Sequence, residues 1–396
     1  MNYKIILGLS IASTLAFSCS NDDDIIDVES QVTAPATYTF ERAGSTTVSY
    51  SGQTTRLLMG GELSSALKNN TNTETILDGM FSNSGDFFST EALNGSGKDI
   101  RSKTAASNDY FSANTTQANE IKGDFDEWIS KQVSEIFPQW ETPAVPGQAG
   151  KIEEAGGTVR YVNAKGLEYD QAVIKGLIGA LAADQMLNNY LSSSVLDAGD
   201  NRANNDAGIL EDGKNYTTME HKWDEAFGYL YGTDNALNPQ LNQDSFLNKY
   251  LQRVNNDDDF NDFASTLYDA FKLGRAAITA KDYELRDAQA EIIRLKISEI
   301  IGIRSVYYLQ SAKQTMDTDP ASALHDLSEG FGFIYSLQFT RQPDSQQPYF
   351  TKAEVDTMLS DLMEGNGFWD VSSTTLDGMS NHIAARFNFT VAQAAP

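Results

Sequence analysis

The chain holds three histidines in 396 residues, and two of them stand in one repeated string. Met219 to Gly232 reads M-E-H-K-W-D-E-A-F-G-Y-L-Y-G, and Leu324 to Ser336 reads L-H-D-L-S-E-G-F-G-F-I-Y-S. With His221 set on His325, Glu225 meets Glu329, Phe227 meets Phe331, Gly228 meets Gly332 and Tyr231 meets Tyr335, all at an offset of 104 residues. On a helix, positions i and i+4 lie about 40° apart and i+7 about 20° the other way. Imidazole, carboxylate and glycine therefore share one stripe in each copy. Imidazole and carboxylate together suit zinc and the first-row metals, including iron. Two stripes face to face would join His221, Glu225, His325 and Glu329 in one four-ligand site. A glycine in mid-helix costs about 1 kcal/mol relative to alanine, so Gly228 and Gly332 mark a close helix approach. We expect the two motif helices to cross there. The competing reading makes each His-Glu pair an intrahelical ion pair and each glycine a packing notch.

Other chemistries lack their residues. Carboxylate-bridged di-iron bundles use Glu-x-x-His, and zincins need His-Glu-x-x-His. Neither order occurs at the motif, and no phosphate loop or Gly-x-Ser-x-Gly is present. No catalytic residue is assigned. The stretch from Ser194 to Thr218 offers a second ligand set, since Asp197, Asp200, Asn204 and Asp206 could give oxygens to calcium. It lacks the spacing and terminal glutamate of an EF-hand, and solvated turns of this composition are common.

The elements that must position these groups are helical. Gln171 to Leu191 is an apolar run with small residues, and Asp184 inside it must be paired or near water. Asp287 to Gln310 is apolar nearly all round and so should be buried. Each motif is followed by two more helical stretches: Ser245 to Val254 and Asp259 to Ala280 in one half, Lys352 to Met363 and Thr375 to Phe387 in the other. The expected fold is mostly α, with two duplicated helical bundles at 169–280 and 287–387. Residues 38–168 read as an irregular N-terminal region with short strands. It holds a first helix at Leu57 to Leu67, a second at Gln117 to Phe137 ended by Pro138, and a small hairpin at Lys151 to Asn163 turning at Gly156-Gly157.

The start of the chain reads as an address. Residues 1–18 carry one lysine and an apolar stretch too short to span a bilayer. Ser18 before Cys19, the only cysteine, makes a lipobox. Residues 19–37 read as an acidic, then Ser/Thr/Pro/Ala-rich tether. A lipidated Cys19 would anchor the protein to a membrane, and Ser20-Asn21-Asp22-Asp23-Asp24 after it resembles the acidic signal of Bacteroidetes-type lipoproteins, which implies the outer membrane, facing outward. With 55 acidic and 29 basic residues the net charge is −26, which excludes nucleic acid as a partner held by charge.

The string Tyr216 to Tyr229, the lipobox and Tyr50-Ser-Gly-Gln-Thr-Thr-Arg56 together resemble an uncharacterised lipoprotein domain family of Bacteroidetes. That family is more distantly similar to the imelysin-like proteins, and the resemblance runs from about Tyr38 to the C-terminus. It implies two related helical bundles and an iron-uptake setting, with a TonB-dependent receptor or another iron-uptake component as partner. The imelysin hallmark is Gly-x-His-x-x-Glu. Here Met219 and Ala323 stand at the glycine position, and each glutamate comes one residue later. The expected function is a lipoprotein that binds iron, or an iron-containing ligand, between the motif helices. The alternatives are a surface module for a glycan or protein, with structural motif pairs, and an imelysin-type peptidase.

Overall fold

The helix starts are written in the sequence as caps. Thr217 accepts from the Glu220 amide while the Glu220 carboxylate accepts from the Thr217 amide at 2.8 Å, and Thr351 and Glu354 form the same capping box. Asp282, Asp319 and Ser372 cap three further helices, one of them with Pro320 in its first turn. A computed structural model describes residues 32–234, 239–343 and 345–396. The leader, Cys19 and most of the tether lie outside the described residues.

In chain order the main elements are β1 (Glu41–Arg42), β2 (Ser45–Thr46), α1 (Ser51–Ala66), α2 (Glu74–Ser82), α3 (Thr115–Lys131), β3 (Gly150–Glu153) and β4 (Val159–Val162). There follow α4 (Tyr169–Leu177), α5 (Thr218–Tyr231), α6 (Leu247–Asn255), α7 (Phe263–Ala280), α8 (Tyr283–Thr315), α9 (Pro320–Ser336), α10 (Lys352–Leu362) and α11 (Ser373–Ala384). The fold is mostly α. Each sheet among the described residues has two strands, and β3–β4 is the antiparallel hairpin expected around Gly156-Gly157. Residues 32–396 form one unit, so the N-terminal region packs into the same core as the helices after it.

The 33-residue α8 is the spine, with α7, α9 and α11 packed along it. Its isoleucines 293, 297, 300 and 301 are fully buried, each worth about 1.5–3 kcal/mol of burial. Trp223 fills the core between α5 and α7. A Cβ on Gly274 would sit 2.1 Å from its ring, and its indole N–H donates to the Phe271 carbonyl at 3.0 Å. Tyr38, just past the tether, stacks on Phe227 with ring centroids 3.7 Å apart.

The run after Tyr169 differs from a plain helix. Past α4 it continues through two π segments, Ile178–Ala183 and Met186–Tyr190. Widened turns release backbone groups from their usual partners. The Ala180 carbonyl accepts from the Ala105 amide at 2.7 Å and the Asn188 carbonyl from the Asp109 amide at 3.2 Å. Asp184, fully buried between the segments, accepts from the Ala106 and Ser107 amides at 3.0 Å each. Burial raises its pKa to about 6 against those hydrogen bonds.

Candidate functional site

Each motif helix uses its stripe to hold the start of another helix. The entrance to α1 is gripped by α5. The His221 Nδ1 lies 3.0 Å from the Ser49 carbonyl, with the ring stacked on Tyr216 at 4.5 Å. Asp224, one turn on, accepts from the Ser49 amide at 3.1 Å. Glu225 accepts from Gln53 Nε2 at 3.1 Å and from Lys222 Nζ at 3.0 Å. Burial pushes the Glu225 carboxyl up, but Lys222 and then His221 outweigh it and hold it below its ordinary pKa.

The entrance to α4 is gripped in the same way by α9. The His325 Nδ1 lies 2.9 Å from Glu168 Oε1, and the Ser328 hydroxyl, at the position matching Asp224, accepts from the Glu168 amide at 3.0 Å. Glu329 pairs with Lys175 Nζ at 3.1 Å and accepts from the Tyr250 hydroxyl at 3.3 Å. Burial alone would lower the His325 pKa; the hydrogen bond to Glu168 and its charge carry it above the ordinary value. Glu329 shows the opposite balance. Burial raises it, while Lys175 and His325 pull it far below the carboxylate range.

The glycines do mark close approaches, but not to each other. A Cβ on Gly228 would lie 2.5 Å from Tyr50 Cβ and 3.0 Å from Gln53 Cβ, at the start of α1. A Cβ on Gly332 would lie 2.4 Å from Lys175 Cβ and 3.0 Å from the Gly176 nitrogen, on α4. The expected crossing of the motif helices is thus replaced by two separate dockings, α5 on α1 and α9 on α4. The structure ties each His-Glu pair to its own neighbour. Among the described residues no group of three or more His, Cys, Asp or Glu is placed to hold a metal ion.

The acidic loop is engaged elsewhere. Asp197 pairs with Arg286 through both oxygens, at 2.6 and 3.1 Å, and Asp206 accepts from the Tyr283 hydroxyl at 2.5 Å. Asn204 and Asp206 belong to a short helix, Asn201–Ala207, that Asp200 precedes.

Two features carry no sequence signal of their own. The first is a buried ionic knot behind α5. Arg275, fully buried, reaches Glu220 and Asp224 at 3.1 Å each. Arg42 also binds Glu220, at 3.0 and 3.1 Å, and the Tyr38 hydroxyl donates to Asp224 at 2.8 Å. Arg275 and Arg42 hold Glu220 below its ordinary pKa against burial. The second is an excess of cations around each motif glutamate. Lys222 pairs with Glu225, the Lys103 charge acts on it, and Arg56 acts on the adjoining Tyr190 and Tyr229; Lys103 is lowered by burial and then by Arg56. Lys175, Lys249 and Arg304 surround Glu329. Tyrosines line both, Tyr190 and Tyr229 at the first, Tyr250 and Tyr308 at the second. In a chain of net charge −26, such groupings are local reversals of the general field.

These features define a mostly α protein in which paired polar stripes dock helices, with cations clustered beside them. The chain belongs to the family described as Domain of unknown function (DUF4856), which it matches over residues 35–390. No curated protein and no solved structure matches it.

Proposed function

We propose that this protein is a lipid-anchored binding protein of the outer membrane, in iron acquisition, that takes iron as an anionic complex. The observation that carries this reading is the pair of cation clusters with tyrosines at Glu225 and Glu329, in a chain that is otherwise strongly acidic. His221, Glu225, His325 and Glu329 each have a protein partner within about hydrogen-bond distance. A bare ion would have to displace those partners, whereas an anionic chelate would meet the cations that remain. The lipobox at Cys19 supports the anchor. The likeness of Tyr216–Tyr229 to a Bacteroidetes lipoprotein family, distantly imelysin-like, supports the iron setting and a TonB-dependent receptor as partner.

Melting curves test the reading. Ferric citrate should raise the melting temperature of the wild type, because a ligand that binds only the folded state stabilises it. Zinc or free ferrous ion should not. If bare metal raises it and His221→Ala/His325→Ala abolishes the shift, the four motif residues are direct ligands and the chelate reading is wrong. If no iron compound shifts it, and deletion leaves iron uptake unchanged, the iron setting is wrong as well.

A further inference from the structure

The buried ring of Tyr250 has three cations around it. Lys175 Nζ lies 5.3 Å from its centroid, Lys249 Nζ 5.5 Å and the Arg304 guanidinium carbon 5.7 Å. One carboxylate touches this group. Glu329 pairs with Lys175 and accepts from the Tyr250 hydroxyl. That pairing accounts for Lys175 and leaves two charges over. Lys249 and Arg304 form no ion pair among the described residues. The next carboxylate, Asp326, accepts from the Ser311 hydroxyl at 2.7 Å instead.

Arg304 is the sharper case. It is 5% exposed, and its Nε is buried with no hydrogen-bond partner. Its guanidinium lies 3.8 Å from the Tyr307 centroid and 4.4 Å from that of Tyr308. Stacking on aromatic faces offsets part of the cost of burying a cation. The Tyr308 hydroxyl is a hydrogen-bond partner to the guanidinium, but the buried Nε still lacks an acceptor. Lys249, by contrast, is half-buried on α6. Desolvation and the neighbouring Lys175 both act against its charge. Around Tyr250, three cations thus share the charge of one carboxylate, Glu329.

We propose that the cation cluster where α4, α6, α8 and α9 meet binds a small oxyanion carrying two or more negative charges, held by Arg304 and Lys249. The class covers inorganic phosphate, phosphoryl groups and polycarboxylates, which share paired oxygens that a guanidinium can meet two at a time. Lys175 and Glu329 stay paired beside it. The inference rests on the binding-protein reading only for what the anion carries in the cell.

The test uses the purified chain without iron. Inorganic phosphate and citrate are titrated separately by calorimetry, at one ionic strength maintained with sodium chloride. Saturable binding of at least one is expected, with a matching rise in melting temperature. Lys249→Gln should weaken it at least tenfold and leave the anion-free melting temperature unchanged. Lys352→Gln, at a half-buried lysine paired with Asp356, should bind as the wild type does. Phosphate binding alone would support a phosphoryl ligand and take iron out of the function. Citrate binding alone would support a polycarboxylate, free or chelating iron. Arg304→Gln should abolish binding, and if that variant does not fold, Lys249→Gln still decides. No saturable binding of either anion, or equal binding by Lys249→Gln, overturns the proposal.

Discussion

Gly332→Ala tests the docking of α9 on α4 directly. The new methyl carbon would sit 2.4 Å from Lys175 Cβ and 3.0 Å from the Gly176 nitrogen, where carbon atoms prefer about 3.5–4.0 Å. Neither neighbour is the free end of a flexible side chain, so the helices must part by more than about 1 Å. Overpacking of this kind costs about 1–3 kcal/mol, and the rigid neighbours put this site near the top of that range. Alanine returns about 1 kcal/mol of helix propensity. The net expectation is a loss of about 2 kcal/mol. Gly228→Ala should behave alike, since its neighbours are Tyr50 Cβ and Gln53 Cβ. Gly123→Ala in α3 is the control, because nothing lies within 4 Å of its added carbon; it should stabilise by about 1 kcal/mol. Urea unfolding with an unchanged denaturant slope measures all three. The two motif glycines touch different helices, so the double variant should be additive within about 0.5 kcal/mol. Coupling above about 1 kcal/mol would mean that the two glycines share an interface. A stabilising Gly332→Ala would remove the close approach altogether.

Arg275→Met should cost about 3–5 kcal/mol at pH 7, because it strands Glu220 and Asp224 in the core; a loss under about 1 kcal/mol in chemical unfolding would contradict the buried knot. His325 gives a pH dependence with a definite sign. Its folded pKa lies above the unfolded one, so its contribution is complete below about pH 6.5 and is lost as pH rises through the higher folded value. The stability gap between wild type and His325→Gln should therefore shrink from pH 6 to pH 9, and a gap that widens over that range would refute the Glu168 pairing.

Much of the helical layout was legible from single residues. The Gly156-Gly157 turn and the helices expected at Lys352 to Met363 and Thr375 to Phe387 fall within a residue or a few of where the structure has them. α1 starts at Ser51, six residues before the expected Leu57, because Tyr50 to Arg56 lacks an apolar period and is held by α5 rather than by its own pattern. The π segments were invisible for a related reason. A run apolar on every side has no stripe whose rotation would reveal an extra residue in a turn. At the site, the grouping of histidine, glutamate and glycine on one stripe was readable. Their partners were not, because Ser49, Gln53, Glu168 and Lys175 lie more than 150 residues away along the chain. Nothing in local spacing distinguishes a stripe that faces its own copy from one that faces a third helix. The cation excess was hidden by the net charge, which averages over the surface and says nothing of α6 and α8.

The burial of Tyr38 also has a mechanical meaning. Just past the tether, Tyr38 is fastened in the core: ring on Phe227, hydroxyl on Asp224, amide on the Tyr268 hydroxyl at 2.9 Å. A few residues on, Arg42 grips Glu220 and the Ser49 amide holds Asp224. Tension drawn along the chain from the side of Val32 would load these attachments side by side, in shear, before it reached α1. A molecule pulled from that end would resist as a unit, with α5 and α7 bearing the strain, instead of peeling open helix by helix.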